Sequence, residues 1–117
     1  MKKTDKPLIR EASMTLIDNL EEMLARGNDS AMLRFGLGSA CLREKRHAQA
    51  IEHLERCLAL DENYTAAYNL LGRAQFKLEQ LDAAKQSFTK GLEKAHATGD
   101  IQTEREMQVF LKKLASD

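Results

Sequence analysis

Residues 31–64, AMLRFGLGSACLREKRHAQAIEHLERCLALDENY, laid over residues 65–98, TAAYNLLGRAQFKLEQLDAAKQSFTKGLEKAHAT, decide the fold. At this offset of 34 residues, Leu37-Gly38 falls on Leu71-Gly72, Ala40 on Ala74, Ala50 on Ala84 and Leu58 on Leu92. These are the only identities, but similar residues share other slots: Leu42 with Phe76, Arg43 with Lys77, Leu54 with Phe88, Arg56 with Lys90, and Cys57 with Gly91. Small and apolar residues kept at fixed places, with free variation between them, are what a packing constraint leaves in a repeat.

Within each unit the apolar spacing is helical. In the first, Leu33, Leu37, Ala40 and Cys41 predict a helix near 31–44, and Ala50, Leu54, Cys57 and Leu58 a second near 48–60. In the second unit, Leu70, Leu71, Ala74 and Gln75 lead to Ala84, Phe88, Gly91 and Leu92. Asp29 or Ser30 is placed to cap the first of these helices and Asn63 the third. A mid-helix glycine costs about 1 kcal/mol against alanine. Gly38 therefore predicts a close crossing, with Ala50 as the small residue facing it.

A helix pair of this length and pattern resembles the tetratricopeptide repeat family. The matching residues are Leu37, Gly38, Ala40, Ala50, Leu54 and Leu58 in the first unit, and Tyr68, Leu71, Gly72, Ala74, Ala84, Phe88 and Leu92 in the second. There are departures: Arg34 replaces the aromatic early in the first helix, and Glu62 and His96 replace the proline after the second. The resemblance implies an all-α, right-handed superhelix of about six helices. In the same register, Leu16, Leu20, Met23 and Leu24 make 8–26 a degenerate second helix, ended by Gly27. Residues 1–7 are expected to fray. Met107, Phe110, Leu111 and Leu114 mark a capping helix over 100–115, started by Asp100, with Glu104, Glu106, Lys112 and Lys113 outermost.

Composition fits a single domain and excludes other classes. The chain has 117 residues, and 43% apolar content is too high for a disordered tail. One proline and 6 glycines are too few for an all-β chain, which turns every ~8–12 residues. Lys plus Arg and Asp plus Glu both number 18, so no basic footprint for nucleic acid exists. No stretch approaches the ~20 apolar residues of a membrane span, and none forms a signal-peptide core. The reading is a cytoplasmic protein with Cys41 and Cys57 as free thiols.

No catalytic or metal-binding constellation is visible, and no cofactor is expected. His47 is expected in a turn, and His53 and His96 on the surface. Cys41 and Cys57 form no CxxC pair. Met14, Met23 and Met107 fall on or beside core stripes.

The resemblance places function on the concave face made by the first helix of each unit. That face carries Met32, Phe35, Ser39, Leu42 and Arg43 in the first unit, and Ala66, Asn69, Arg73, Phe76 and Lys77 in the second. Apolar anchors alternate with cations, a basic stripe that the zero net charge conceals. The expected partner is a protein or peptide with an acidic or carboxylate end. Chaperone-tail binders of the family use a two-carboxylate clamp of Lys, Asn and Arg. The corresponding slots here hold Phe35, Ser39 and Leu70, leaving Asn69 and Arg73 to bind one carboxylate. The function implied is a non-enzymatic adaptor, monomeric or weakly self-associating. The alternatives are a subunit assembling through its terminal helices, or an accessory subunit of an enzyme.

Overall fold

The computed structural model describes residues 15–115. Among these are six helices and no strand: α1 Leu16–Ala25, α2 Ala31–Arg43, α3 His47–Leu60, α4 Thr65–Lys77, α5 Leu81–Thr98 and α6 Ile101–Ala115. Met14, the start of the 8–26 segment and the expected frayed terminus lie outside the described residues.

Turn chemistry determines where several helices stop. At the end of α2, the Lys45 N–H donates to Leu42 O at 3.0 Å and the Arg46 N–H to Cys41 O at 2.8 Å. This pair of bonds is a Schellman motif, which requires a left-handed residue after the helix. Lys45 supplies it at φ 61° and, one repeat later, Glu79 does so at φ 59°. Gly27 and Gly99 fill the same role after α1 and α5, at φ 93° and 77°. Starts are less uniform. Ser30 caps α2 by accepting from the Leu33 N–H at 3.1 Å, whereas Asp29 turns to Arg34 instead. Asn63 does not cap α4: Tyr64 occupies that position without a side-chain bond. Asp100 starts α6 as expected, accepting from the Thr103 N–H at 3.2 Å.

Short turns fold α2 back on α3 and α4 on α5, and α3 packs on α4 in turn. The core is continuous along this stack. Ile17, Leu37, Cys41, Leu54, Cys57 and Leu71 lead one cluster, and Tyr68, Phe88, Ala95 and Met107 a second. Leu58 packs against both. Each helix thus buries its stripe mainly against its neighbours in the chain, the one-dimensional logic of a solenoid.

Glycines allow the tightest crossings. A Cβ on Gly38 would lie 2.5 Å from Leu54 Cγ, and one on Gly72 2.6 Å from Phe88 Cε1. The residue facing Gly38 is therefore the large Leu54, not Ala50. A leucine or phenylalanine enters the space that a missing side chain leaves, which offsets the helix cost of glycine through apolar burial. Gly91 works likewise between Tyr68 and Met107.

Candidate functional site

The first helices, α2 and α4, touch directly, and so do α4 and α6. The second helices α1, α3 and α5 make no contact with one another. A stack whose one row is closely packed and whose other row is splayed must curve toward the packed row. The α2–α4–α6 row is therefore the concave side.

Four of the residues expected there come together. Leu42, Arg43, Arg73 and Lys77 line one cavity of about 330 Å³, joined by Lys45 and His47. It lies where α2 and α4 end. Arg43 and Lys77 stand in last turns, where a cation also meets the negative end of the helix dipole. Lys45 is brought in by the left-handed turn after α2, and His47 is the first residue of α3 rather than a turn residue. Neither had a periodic signal, because both positions depend on the turn. No carboxylate among the described residues lies within ion-pair distance of Arg43, Lys45, Arg73 or Lys77.

The other expected residues lie apart from this cavity. Met32 is 74% exposed at the start of α2. Phe35 is half-buried and stacks on Tyr64 with ring centroids 4.8 Å apart, and Ser39 is half-buried. Phe76 packs edge-on to Phe110 of α6 at 6.3 Å, and the Arg73 guanidinium lies 5.6 Å from the same ring. Asn69 requires a correction. It is only 5% exposed, and its Nδ2 donates to Glu106 Oε1 at 2.8 Å, so it faces α6 and is not open to a partner. Its Oδ1 is buried without a hydrogen-bond partner. Glu106 correspondingly turns toward α4 instead of lying outermost.

Elsewhere the titratable groups serve structure. Arg34 binds Asp29 through Nε at 2.8 Å and Nη2 at 3.1 Å. Arg34 holds the Asp29 carboxyl below the usual range, chiefly by hydrogen bonding. Nη1 donates to His53 Nδ1 at 3.1 Å, so the neutral ring carries its proton on Nε2. Burial and then the Arg34 charge push the His53 pKa down. His53 is thus part of an inter-helix network and not a free surface residue. Cys41 and Cys57 are buried free thiols. Burial raises both, Cys57 to about 11, which leaves little thiolate for nucleophilic chemistry. No three His, Cys, Asp or Glu side chains cluster to hold a metal among the described residues, and no helix there is long and apolar enough to cross a membrane.

Comparison with known proteins identifies the family. The family model described as Tetratricopeptide repeat matches residues 42–103. The chain belongs to the tetratricopeptide repeat family. Proteins of this family fold as α-α superhelices and generally mediate protein–protein interaction without catalysis. The "TPR repeat-containing protein PA0015" of Pseudomonas aeruginosa is 46% identical over 99 residues, covering 85% of this tetratricopeptide chain and 94% of that protein. The solution structure of BPP2914 from Bordetella parapertussis aligns with a TM-score of 0.77 at 35% identity, over 87% of this chain and 89% of that one. The "first TPR of Spaghetti (RPAP3) bound to HSP90 peptide SRMEEVD" aligns at 0.75 with 27% identity, over 98% and 86%.

Proposed function

We propose that this protein is an adaptor whose concave face binds an extended partner segment, with an acidic stretch seated among Arg43, Lys45, Arg73 and Lys77. The observation that carries the reading is the convergence of four cations on one cavity without a carboxylate to answer them among the described residues. Clustered like charges repel, and an anionic ligand relieves the repulsion. Leu42 and the exposed Met32 offer apolar contact along the same row. The structural likeness to a domain bound to SRMEEVD, a peptide with two Glu and a final Asp, supports the same ligand class.

Fluorescence anisotropy with labelled SRMEEVD tests the proposal. Exposed charge pairs contribute about 0.2–1 kcal/mol each. Replacing Arg43 and Lys77 together by Gln should therefore weaken binding by about tenfold, equivalent to 1.4 kcal/mol. Both side chains are exposed, so the fold should persist. Affinity unchanged in that variant would place the ligand elsewhere. Replacing Arg73 and Phe76 together would be a poorer test, because both touch Phe110 and their loss disturbs α6.

A further inference from the structure

Taking the basic concave site as the ligand's seat, we propose that Glu106 is an internal competitor for that ligand. Its carboxylate occupies Asn69, a position that a carboxylate of the partner takes over on binding.

α4 and α6 face each other along the concave row through a series of paired residues. Thr65 bonds to Asp100, Asn69 to Glu106, and Arg73 and Phe76 both meet Phe110. The Glu106 pair differs from the others. Asp100 also caps its own helix through the Thr103 N–H, and Phe110 packs against the second core cluster. Glu106 does neither. It is exposed, and its carboxylate is held by two neutral amides, Asn69 Nδ2 at 2.8 Å and Gln102 Nε2 at 3.4 Å. No cation answers it among the described residues. Asn69 is only half satisfied in return: the residue is 5% exposed, yet its Oδ1 has no hydrogen-bond partner. A buried amide paired through one of its two groups is an exception in folded proteins, and it marks a contact made for more than packing.

A carboxylate without a cation therefore stands beside cations without a carboxylate. Asn69 and Arg73 are four residues apart on α4, so their side chains are neighbours on one face. Arg73 lines the basic cavity. Glu106 is fixed to the α6 backbone; it reaches Asn69 and makes no ion pair with Arg73. A carboxylate on an extended partner segment has no such tether. Seated between Asn69 and Arg73, it keeps the amide bond and adds a charge-assisted bond that Glu106 does not make. The displaced Glu106 returns to water, which its exposure already permits. The exchange also selects among partners. A segment with one acidic residue fills the cavity and leaves Glu106 in place, whereas two are needed to engage Asn69 as well.

Anisotropy of the full chain with labelled SRMEEVD tests this, comparing Glu106→Ala and Glu106→Gln with the wild type. Circular dichroism verifies that each variant folds. Alanine frees Asn69, whereas glutamine loses the charge and keeps an oxygen that accepts from the amide. Glu106→Ala should tighten binding about fivefold, and Glu106→Gln by less. In an Asn69→Ala background, Glu106→Ala should bring no further gain. Should that background fail to fold, the side-chain amide signal of Asn69 in the wild type serves instead, and it should shift on saturation with SRMEEVD. Equal gains from alanine and glutamine would mean that Glu106 acts by charge alone, and an unchanged affinity that it does not compete; either overturns the proposal. So does a gain that persists without Asn69, or an Asn69 amide signal that SRMEEVD leaves in place. If replacing Arg43 and Lys77 weakens binding while Glu106→Ala does not strengthen it, the basic site stands and the competition falls. If no variant binds SRMEEVD, both fall.

Discussion

Arg34 occupies the slot that Tyr68 fills one repeat later, and the two residues hold the same crossing by different means. The Tyr68 hydroxyl donates to Glu62 O at 2.7 Å. Arg34 ties Asp29 to His53 across two helices. This predicts a pH effect. The folded His53 pKa is depressed, so below the ordinary value of about 6.5 the native state binds fewer protons than the unfolded chain. Its contribution is fully present above that pH and is lost as pH falls through the folded pKa. Urea denaturation at pH 7 and pH 5 should show this loss in the wild type and a smaller one in His53→Gln. The glycines make a second prediction at this scale. Gly72→Val should cost about 1–3 kcal/mol, because its Cβ meets the buried Phe88 ring, which cannot move without opening the core. A midpoint unchanged in denaturant would mean that the crossing has room to spare. This crossing was legible in the sequence, since a glycine kept at one slot in the first helix of two successive repeats marks a place where a side chain does not fit. Its true partner was not, since spacing along a chain cannot tell Ala50 from Leu54.

Helix stripes were the most legible feature, because burial imposes a period on the residues themselves. Caps and tilts were less so. Asn63 looked like a cap and Tyr64 takes the place; Asn69 looked open and is bonded to Glu106, 37 residues away. Nothing periodic connects such a pair. At the scale of elements, hydrogen bonds tie α6 down at its start, and Met107 and Phe110 pack it further along. Asp100 accepts both the Thr103 N–H and the Thr65 hydroxyl, the latter at 2.6 Å, joining α6 to the first turn of α4. Asp100→Ala should therefore cost about 1–2 kcal/mol. Hydrogen exchange should show the loss concentrated in α6. Loss spread evenly over all helices would indicate that α6 does not open separately. The turns matter to function as well as stability. Lys45→Gly should relieve up to about 1 kcal/mol of left-handed strain and still weaken acidic-ligand binding, by removing a cation from the cavity. Stability by denaturation and affinity by anisotropy would then move in opposite directions.

At the scale of the molecule, zero net charge conceals an uneven distribution. Cations collect where α2 and α4 end, while Asp18, Glu21 and Glu22 are exposed on α1. The stripe of Arg43, Arg73 and Lys77 could be read in the sequence from the repeat register. Its convergence with Lys45 and His47 could not, because that depends on how the turns return. Contacts among exposed charges are screened over about 8 Å at physiological ionic strength. Binding of an acidic segment should therefore weaken steadily as salt is raised, and the apolar core should be unaffected over the same range. Titrating the isotope-labelled protein with SRMEEVD and with SRMQQVN, which lacks the three side-chain carboxylates, followed by amide chemical shifts, tests the acidic-ligand site most directly. Saturable shifts are expected at Leu42, Arg43, Lys45, Arg73 and Lys77 with the acidic peptide, and much weaker ones with the amide peptide. Equal responses to both peptides, or shifts centred on the splayed face of α3 and α5, would contradict a basic concave site.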